Sequence, residues 1–252
     1  MLEIKNLFAG YGGGDVIKDI TLKAFPGEIL TIAGPNGCGK TTLLKAIARL
    51  LPFRGLVTLD GRDIHSFSRK ALAQKAALLG QSTQIYFSYS VFDTVSLGRY
   101  PYSRSFLKGL TKNDREIVEN VLLQLGLTDV KDRMITELSG GQLQRVFLAR
   151  TLAQEPEFIL LDEPTNHLDL THQIELLSYL SYWAEKNNKT VIAVLHDLNL
   201  ARRFGNSAAL MSRGALVSWG KPEDVLTGDI LEEVYGLNIK GFMLESLKKW
   251  ES

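Results

Sequence analysis

The stretch that most constrains this chain is Gly34-Pro35-Asn36-Gly37-Cys38-Gly39-Lys40-Thr41, which fits G-x-x-x-x-G-K-[ST] at every fixed position. It follows the short apolar strand Glu28 to Ala33. It precedes Thr41 to Leu51, where Leu43, Leu44, Ile47, Leu50 and Leu51 recur at helical spacing until Pro52. In a strand–loop–helix of this kind the glycines let successive N–H groups curl inward. They form a nest for phosphate oxygens, and the helix N-terminus adds partial positive charge. Lys40 is placed to reach β- and γ-phosphates, and the Thr41 hydroxyl to coordinate Mg²⁺.

Three further strand ends carry polar groups. Phe158-Ile-Leu-Leu161 runs into Asp162-Glu163. Strand carboxyl ends in an α/β sheet face the ligand crevice, so Asp162 would hold Mg²⁺ and Glu163 would orient and polarise an attacking water. His196 ends the apolar run Val191 to Leu195, and a histidine there suits a structural role as well as a functional one. Gln81 ends the strand Ala76 to Gly80 and on its own reads as an ordinary loop residue. Asp169, in Asn166-His-Leu-Asp169, reads as a helix N-cap.

Leu138-Ser139-Gly140-Gly141-Gln142 opens another helix, about twenty residues before Asp162. Ser139 caps it, and the two glycines let backbone N–H groups approach an anion closely. One chain thus has two anion-binding helix starts, whereas one ATP has a single γ-phosphate. Tyr11 lies in a glycine-flanked turn, Ala9-Gly10-Tyr11-Gly12. Cys38 occupies a variable loop position and reads as a small tolerated side chain. The sharper alternative is a reactive thiol, its pKa lowered by the helix N-terminus.

The remaining segments fill in an α/β plan. Residues 2 to 33 read as strands of a largely antiparallel sheet. Leu56 to Leu59 is a strand before the turn Asp60-Gly61. From Ser82 to about Glu137 strand-like runs vanish, with helical pattern at Val91 to Leu97 and Asp114 to Leu125. With the helix from Ser139 to Ala153, a helical subdomain spans about 82–153, inserted in an α/β core. Helices follow at Leu170 to Lys186 and Asp197 to Phe204, a strand at Thr190 to Leu195, a hairpin around Arg213-Gly214, and short helices from Pro222.

Composition narrows the partners. A net charge of +1 argues against a general nucleic-acid binder. The single cysteine excludes an internal disulfide framework and fits a reducing compartment. The N-terminus lacks a signal-peptide pattern, and no apolar run approaches the roughly 20 residues needed to span a bilayer. Any membrane role therefore requires a partner.

With both the phosphate loop and LSGGQ in one chain, the sequence resembles the ATP-binding cassette (ABC) family over nearly its whole length. The resemblance implies a P-loop NTPase fold: a RecA-like core, an antiparallel β subdomain and the inserted helical subdomain, 1–252 forming one nucleotide-binding domain. It implies an ATPase that works as a face-to-face dimer. Tyr11 stacks on adenine, while Gly34, Pro35, Asn36, Gly37, Cys38, Gly39, Lys40, Thr41 and Thr42 cradle the nucleotide. Ser139, Gly140, Gly141, Gln142 and Asp169 meet nucleotide across the interface. Glu163, His196 and Gln81 become catalytic, and Thr41, Gln81 and Asp162 hold Mg²⁺.

Within the family, Phe92-Asp93-Thr94-Val95, Gly98-Arg99-Tyr100-Pro101-Tyr102 and Leu195-His196-Asp197-Leu198-Asn199, with a short tail from Gly220 to Ser252, look like cassettes of importers for iron-siderophores, haem and cobalamin. That implies a peripheral protein on the cytoplasmic face of the cell membrane. Its partners would be transmembrane permease subunits, contacted through about 82–104 by Tyr86, Phe87, Tyr89 and Phe92. A second copy would join as the ATP-dependent dimer, and a substrate-binding protein would act indirectly. Rival readings are a cassette for another metal or anion importer, or a soluble ABC ATPase of iron–sulfur cluster assembly. About a hundred residues separate phosphate loop from signature, too few for the coiled coil of DNA-repair types.

Overall fold

The computed structural model describes residues 1–80, 88–103, 109–166 and 168–250. Along the chain run β1 (Leu2–Ala9), β2 (Ile17–Ala24), β3 (Ile29–Ala33), α1 (Lys40–Ile47), β4 (Phe53–Leu59), β5 (Arg62–Asp63), α2 (Arg69–Ala73) and β6 (Ala76–Leu79). Then come α3 (Val91–Ser96), α4 (Lys112–Gln124), α5 (Gly140–Ala153), β7 (Phe158–Asp162), α6 (Leu170–Asn187), β8 (Thr190–Val194) and α7 (Leu198–Phe204). The hairpin β9 (Ser207–Ser212) and β10 (Ala215–Gly220) precedes α8 (Pro222–Val225), α9 (Gly228–Tyr235) and α10 (Ile239–Lys248).

Two sheets result. A four-stranded antiparallel sheet has the order β2-β1-β4-β5, and a six-stranded sheet has the order β10-β9-β3-β8-β7-β6. In the larger sheet β6, β7, β8, β3 and β9 are mutually parallel, with only β10 antiparallel. β3, β7 and β8 are buried along their whole length, which explains their unbroken apolar runs. Alternation splits them between two cores. Leu30, Ile32, Phe158, Leu160, Ile192 and Val194 face α1 and the antiparallel sheet. Ile29, Ile159, Leu161, Val191 and Ala193 face the helices of the other side.

This corrects the expectation for residues 2 to 33: β3 leaves the antiparallel sheet and pairs in parallel with β8 and β9. The helix after the phosphate loop is also shorter than its apolar spacing suggests. It ends at Ile47, since Arg49 turns left-handed (φ 54°) and its guanidinium donates to the Ile64 and Phe67 carbonyls at 2.9 and 2.8 Å.

Between β6 and β7 the described elements are helices. Val91 and Val95 of α3, Val118 and Leu122 of α4, and Val146 of α5 join the apolar cluster that also holds Ile159 and Leu161 of β7. Arg99 ties this region together. Its side chain is only 4% exposed, and Nε donates to Asp114 Oδ1 at 2.8 Å. Nη1 donates to the Ala153 carbonyl at 2.7 Å and to Glu155 Oε2 at 2.8 Å, and the guanidinium stacks 4.1 Å from the Tyr102 ring centre. Burial pushes the Asp114 carboxyl up, but the Thr111 hydroxyl and Arg99 outweigh it and hold it below its ordinary value. Gly98 lies against α5 so closely that a Cβ there would meet the Arg150 carbonyl oxygen at 2.2 Å. Tyr102 Oη donates to the Gln154 carbonyl at 3.0 Å, and Gln74 Nε2 donates to the Pro101 carbonyl at 2.9 Å. The Gly-Arg-Tyr-Pro-Tyr string is therefore a fastening.

Candidate nucleotide site

The carboxyl ends of three adjacent parallel strands deliver the polar residues. β3 ends into Gly34, β7 ends at Asp162, and β8 ends before His196. Register aligns them, with Ile32 and Asp162 both opposite Val194. Gly34, Gly37 and Gly39 all have positive φ. At Gly34 (φ 147°) a Cβ would sit 2.2 Å from the Met211 carbonyl oxygen, so glycine is required by the turn and by β9 alike. Gly39 caps α1 without any side-chain bond to the first turn, which leaves helix N–H groups facing the loop. Lys40 is buried, and its Nζ donates to the Gly34 and Pro35 carbonyls at 2.7 and 2.9 Å. The ammonium thus lies over the nest. Thr42 is buried on α1, and Thr41 lies beside Asp162.

Burial pushes the Asp162 carboxyl up, and Glu163 adds to the rise. The Thr41 hydroxyl, Lys45 and Lys40 oppose it. Among the described residues the buried Asp162 Oδ1 has no hydrogen-bond partner, so its lone pairs are left for a ligand. Glu163 adopts a left-handed backbone, φ 56°. Its Oε1 lies 2.6 Å from His196 Nε2, and its Oε2 accepts a hydrogen bond from the Asn166 side-chain amide. Lys40, Thr41, Asp162, Glu163 and His196 are therefore gathered at the carboxyl end of the sheet's central strands.

Tyr11 is 58% exposed, with Lys45 of α1 5.6 Å from its ring centre. An aromatic face thus stands beside the phosphate loop's helix. Cys38 fits the reading as a small tolerated side chain better than the reactive-thiol alternative. It is 4% exposed, and burial pushes its thiol up despite the nearby Lys40.

The signature lies apart. Ser139 Oγ accepts from Gln142 N–H at 3.3 Å, and Gln142 Oε1 accepts from Ser139 N–H at 3.1 Å, a reciprocal capping box. A Cβ on Gly140 would meet nothing within 4 Å, so that face of the helix start is open. Among the described residues no hydrogen bond joins Ser139–Gln142 to the phosphate loop. Farther along α5, Gln144 Nε2 donates to the Pro164 carbonyl at 3.0 Å, tying this helix to the turn after Glu163. Asp169 caps α6, accepting from the His172 N–H at 2.9 Å and facing its Nδ1 at 2.8 Å. The backbone bond, then the imidazole, hold its carboxyl below the ordinary value.

Gln81, Tyr86 and Phe87 lie outside the described residues. Phe92 is half-buried: it packs partly against the apolar cluster, with Arg115 5.3 Å from its ring centre. Tyr89, Leu97 and Tyr100 are the exposed apolar residues of 88–103. Sequence reasoning missed Asn166 and Lys45 as neighbours of the acidic pair. Asn166 was legible only as a polar residue three positions after Glu163.

Residues 17–166 match the family model described as ABC transporter. The chain is 42% identical over 238 residues to YusV of Bacillus subtilis (strain 168), a probable siderophore transport system ATP-binding protein. The match covers 94% of this chain and 86% of that one. The chain superposes on an inward-facing structure of a putative metal-chelate type ABC transporter with a TM-score of 0.82 and 30% identity, covering 94% of this chain and 89% of that one. A bacterial ABC transporter cassette solved as a dimer gives 0.77 and 28%, covering 88% and 99%.

Proposed function

The chain belongs to the ABC transporter family, and on that premise we propose that it is the ATP-hydrolysing subunit of an importer of ferric siderophores, working at the cytoplasmic face of the membrane. The observation that carries the ATPase reading is the convergence of Lys40, Asp162, Glu163 and His196 at three neighbouring strand ends. The relationship to a siderophore-system subunit supports the cargo class.

In this reading Tyr11 stacks on adenine and the N–H groups of Gly34 to Thr42 wrap the phosphates. Phosphate oxygens compete with the Gly34 and Pro35 carbonyls for the Lys40 ammonium, which then neutralises β- and γ-charge. Thr41 and Asp162 would hold Mg²⁺, and the buried, unsatisfied Asp162 Oδ1 suits a cation ligand. That ion, when bound, supplies charge neutralisation between phosphates. Glu163 accepts the proton of the attacking water, and His196 orients its carboxylate and reaches toward the γ-phosphate. Gln81 would sense the same water.

Ser139 to Gln142 and Asp169 act on the nucleotide of a second copy, which accounts for an open helix start with no hydrogen bond to its own phosphate loop among the described residues. Residues 1–252 form one cassette, with the helical insert transmitting closure to a permease that contacts about 82–104. Tyr89, Leu97 and Tyr100 supply apolar contacts there. No helix among the described residues is long and apolar enough to cross a membrane. The substrate-binding protein acts through the permease, and no nucleic acid takes part.

The test is Glu163→Gln. It should bind ATP, turn over at least about 100-fold more slowly, and accumulate an ATP-bound dimer on size exclusion. Wild-type turnover in this variant would refute the role of Glu163.

A further inference from the structure

A non-glycine residue at φ 56°, as Glu163 is, persists only where its surroundings over-determine it. Asn166 restrains it twice. The Asn166 N–H donates to the Glu163 carbonyl at 3.2 Å, closing the turn. The Asn166 side-chain amide donates to Glu163 Oε2, while His196 Nε2 meets Oε1 at 2.6 Å. The carboxylate is gripped from two sides, by the end of β8 and by its own turn.

We propose that Asn166 is a positioning residue for ATP hydrolysis, fixing the rotamer of Glu163 so that its carboxylate faces the attacking water. This rests on the reading of Glu163 as the base. An amide suits the task because it donates without carrying charge. An aspartate at 166 would set a like charge against Glu163, and an alanine would remove the grip that comes from the turn.

The turn does not depend on the Asn166 side chain for its fold. Gln144 Nε2 holds the Pro164 carbonyl at 3.0 Å, and Gln173 Nε2 holds the Thr165 and Leu168 carbonyls at 3.3 and 2.9 Å. Substitutions at 166 should therefore fold and load nucleotide.

The experiment measures steady-state ATPase and fluorescent-ATP affinity of the full chain carrying Asn166→Ala, Asn166→Ser or Asn166→Asp, beside Glu163→Gln. A misplaced catalytic group can cost on the order of 100-fold. Asn166→Ala should lose about 10–100-fold in kcat, with KM and ATP affinity within about threefold of wild type. Asn166→Ser, which keeps a donor, should recover most of that loss. Asn166→Asp should approach Glu163→Gln and likewise accumulate an ATP-bound dimer. An Asn166→Ala kcat within twofold of wild type overturns the proposal. So does a loss shared by KM and melting temperature that serine fails to rescue. If Glu163→Gln is slow while Asn166→Ala is normal, only the role of Asn166 falls. If Glu163→Gln itself turns over normally, the reading of Glu163 falls and this proposal with it.

Discussion

Arg99→Met removes the most heavily bonded buried cation in the helical region. The side chain is 4% exposed and bonds Asp114, the Ala153 carbonyl and Glu155 while stacking on Tyr102. Glu155 is 54% exposed, so its pair is screened and adds little. The cost comes from Asp114, whose side chain is 14% exposed, and from the Ala153 carbonyl, which loses a charged donor. Breaking a buried pair from one side costs about 3–5 kcal/mol. A chain of this size loses about 2–4 °C per kcal/mol, so the melting temperature should fall by about 6–20 °C. Asp114→Asn should cost much less in the Arg99→Met background than in wild type, since its charge is then already uncompensated. The sign of the pH dependence is fixed. A depressed Asp114 pKa contributes stability above its unfolded value and loses it as pH falls, so the gap between the Arg99→Met variant and wild type should narrow below about pH 4. Thermal and urea melts by circular dichroism read both. A loss under about 1 kcal/mol, or equal Asp114→Asn costs in the two backgrounds, would refute the hub.

Two other outcomes follow from the site. Asp162→Asn should raise stability by about 0.5–2 kcal/mol while abolishing turnover. Burial lifts the Asp162 pKa, so its ionised form costs stability once pH rises above the unfolded value near 3.9, and the neutral amide removes that cost. A lowered melting temperature at pH 7 would contradict this. Tyr11→Ala should weaken ATP binding about 5–150-fold, the equivalent of about 1–3 kcal/mol of stacking, with Tyr11→Trp near wild type in a fluorescent-nucleotide titration. Unchanged affinity in Tyr11→Ala would remove Tyr11 from the site.

Much of this is legible in the sequence. The phosphate loop and LSGGQ are local strings whose backbone geometry is written in their glycines, and Phe158 to Glu163 states its own strand and its own carboxyl end. Contacts between separate strands are not. Nothing in the sequence says that His196 stands 2.6 Å from Glu163, because that distance is set by the β7–β8 register. The parallel place of β3 is hidden because a five-residue apolar run does not state the direction of its partner. Phe92 reads only as an aromatic of a docking stretch, and its partial packing against the core of α3, α4 and α5 emerges only in the fold. Arg99 draws notice as part of a family-like string. Its physical task emerges only once α4, α5 and Tyr102 close around it. At Cys38 burial outweighs the helix start and the nearby Lys40, which accords with the reading as a small tolerated side chain and not with the reactive-thiol alternative.

The most direct measurement is co-purification: a tagged copy is expressed in its native host, membranes are solubilised in mild detergent, and the proteins that come with it are identified. An importer subunit should bring a polytopic permease, and ATP hydrolysis by that complex should rise with a ferric siderophore and its binding protein. Recovery with soluble partners alone, and absence from membranes, would contradict the transporter assignment.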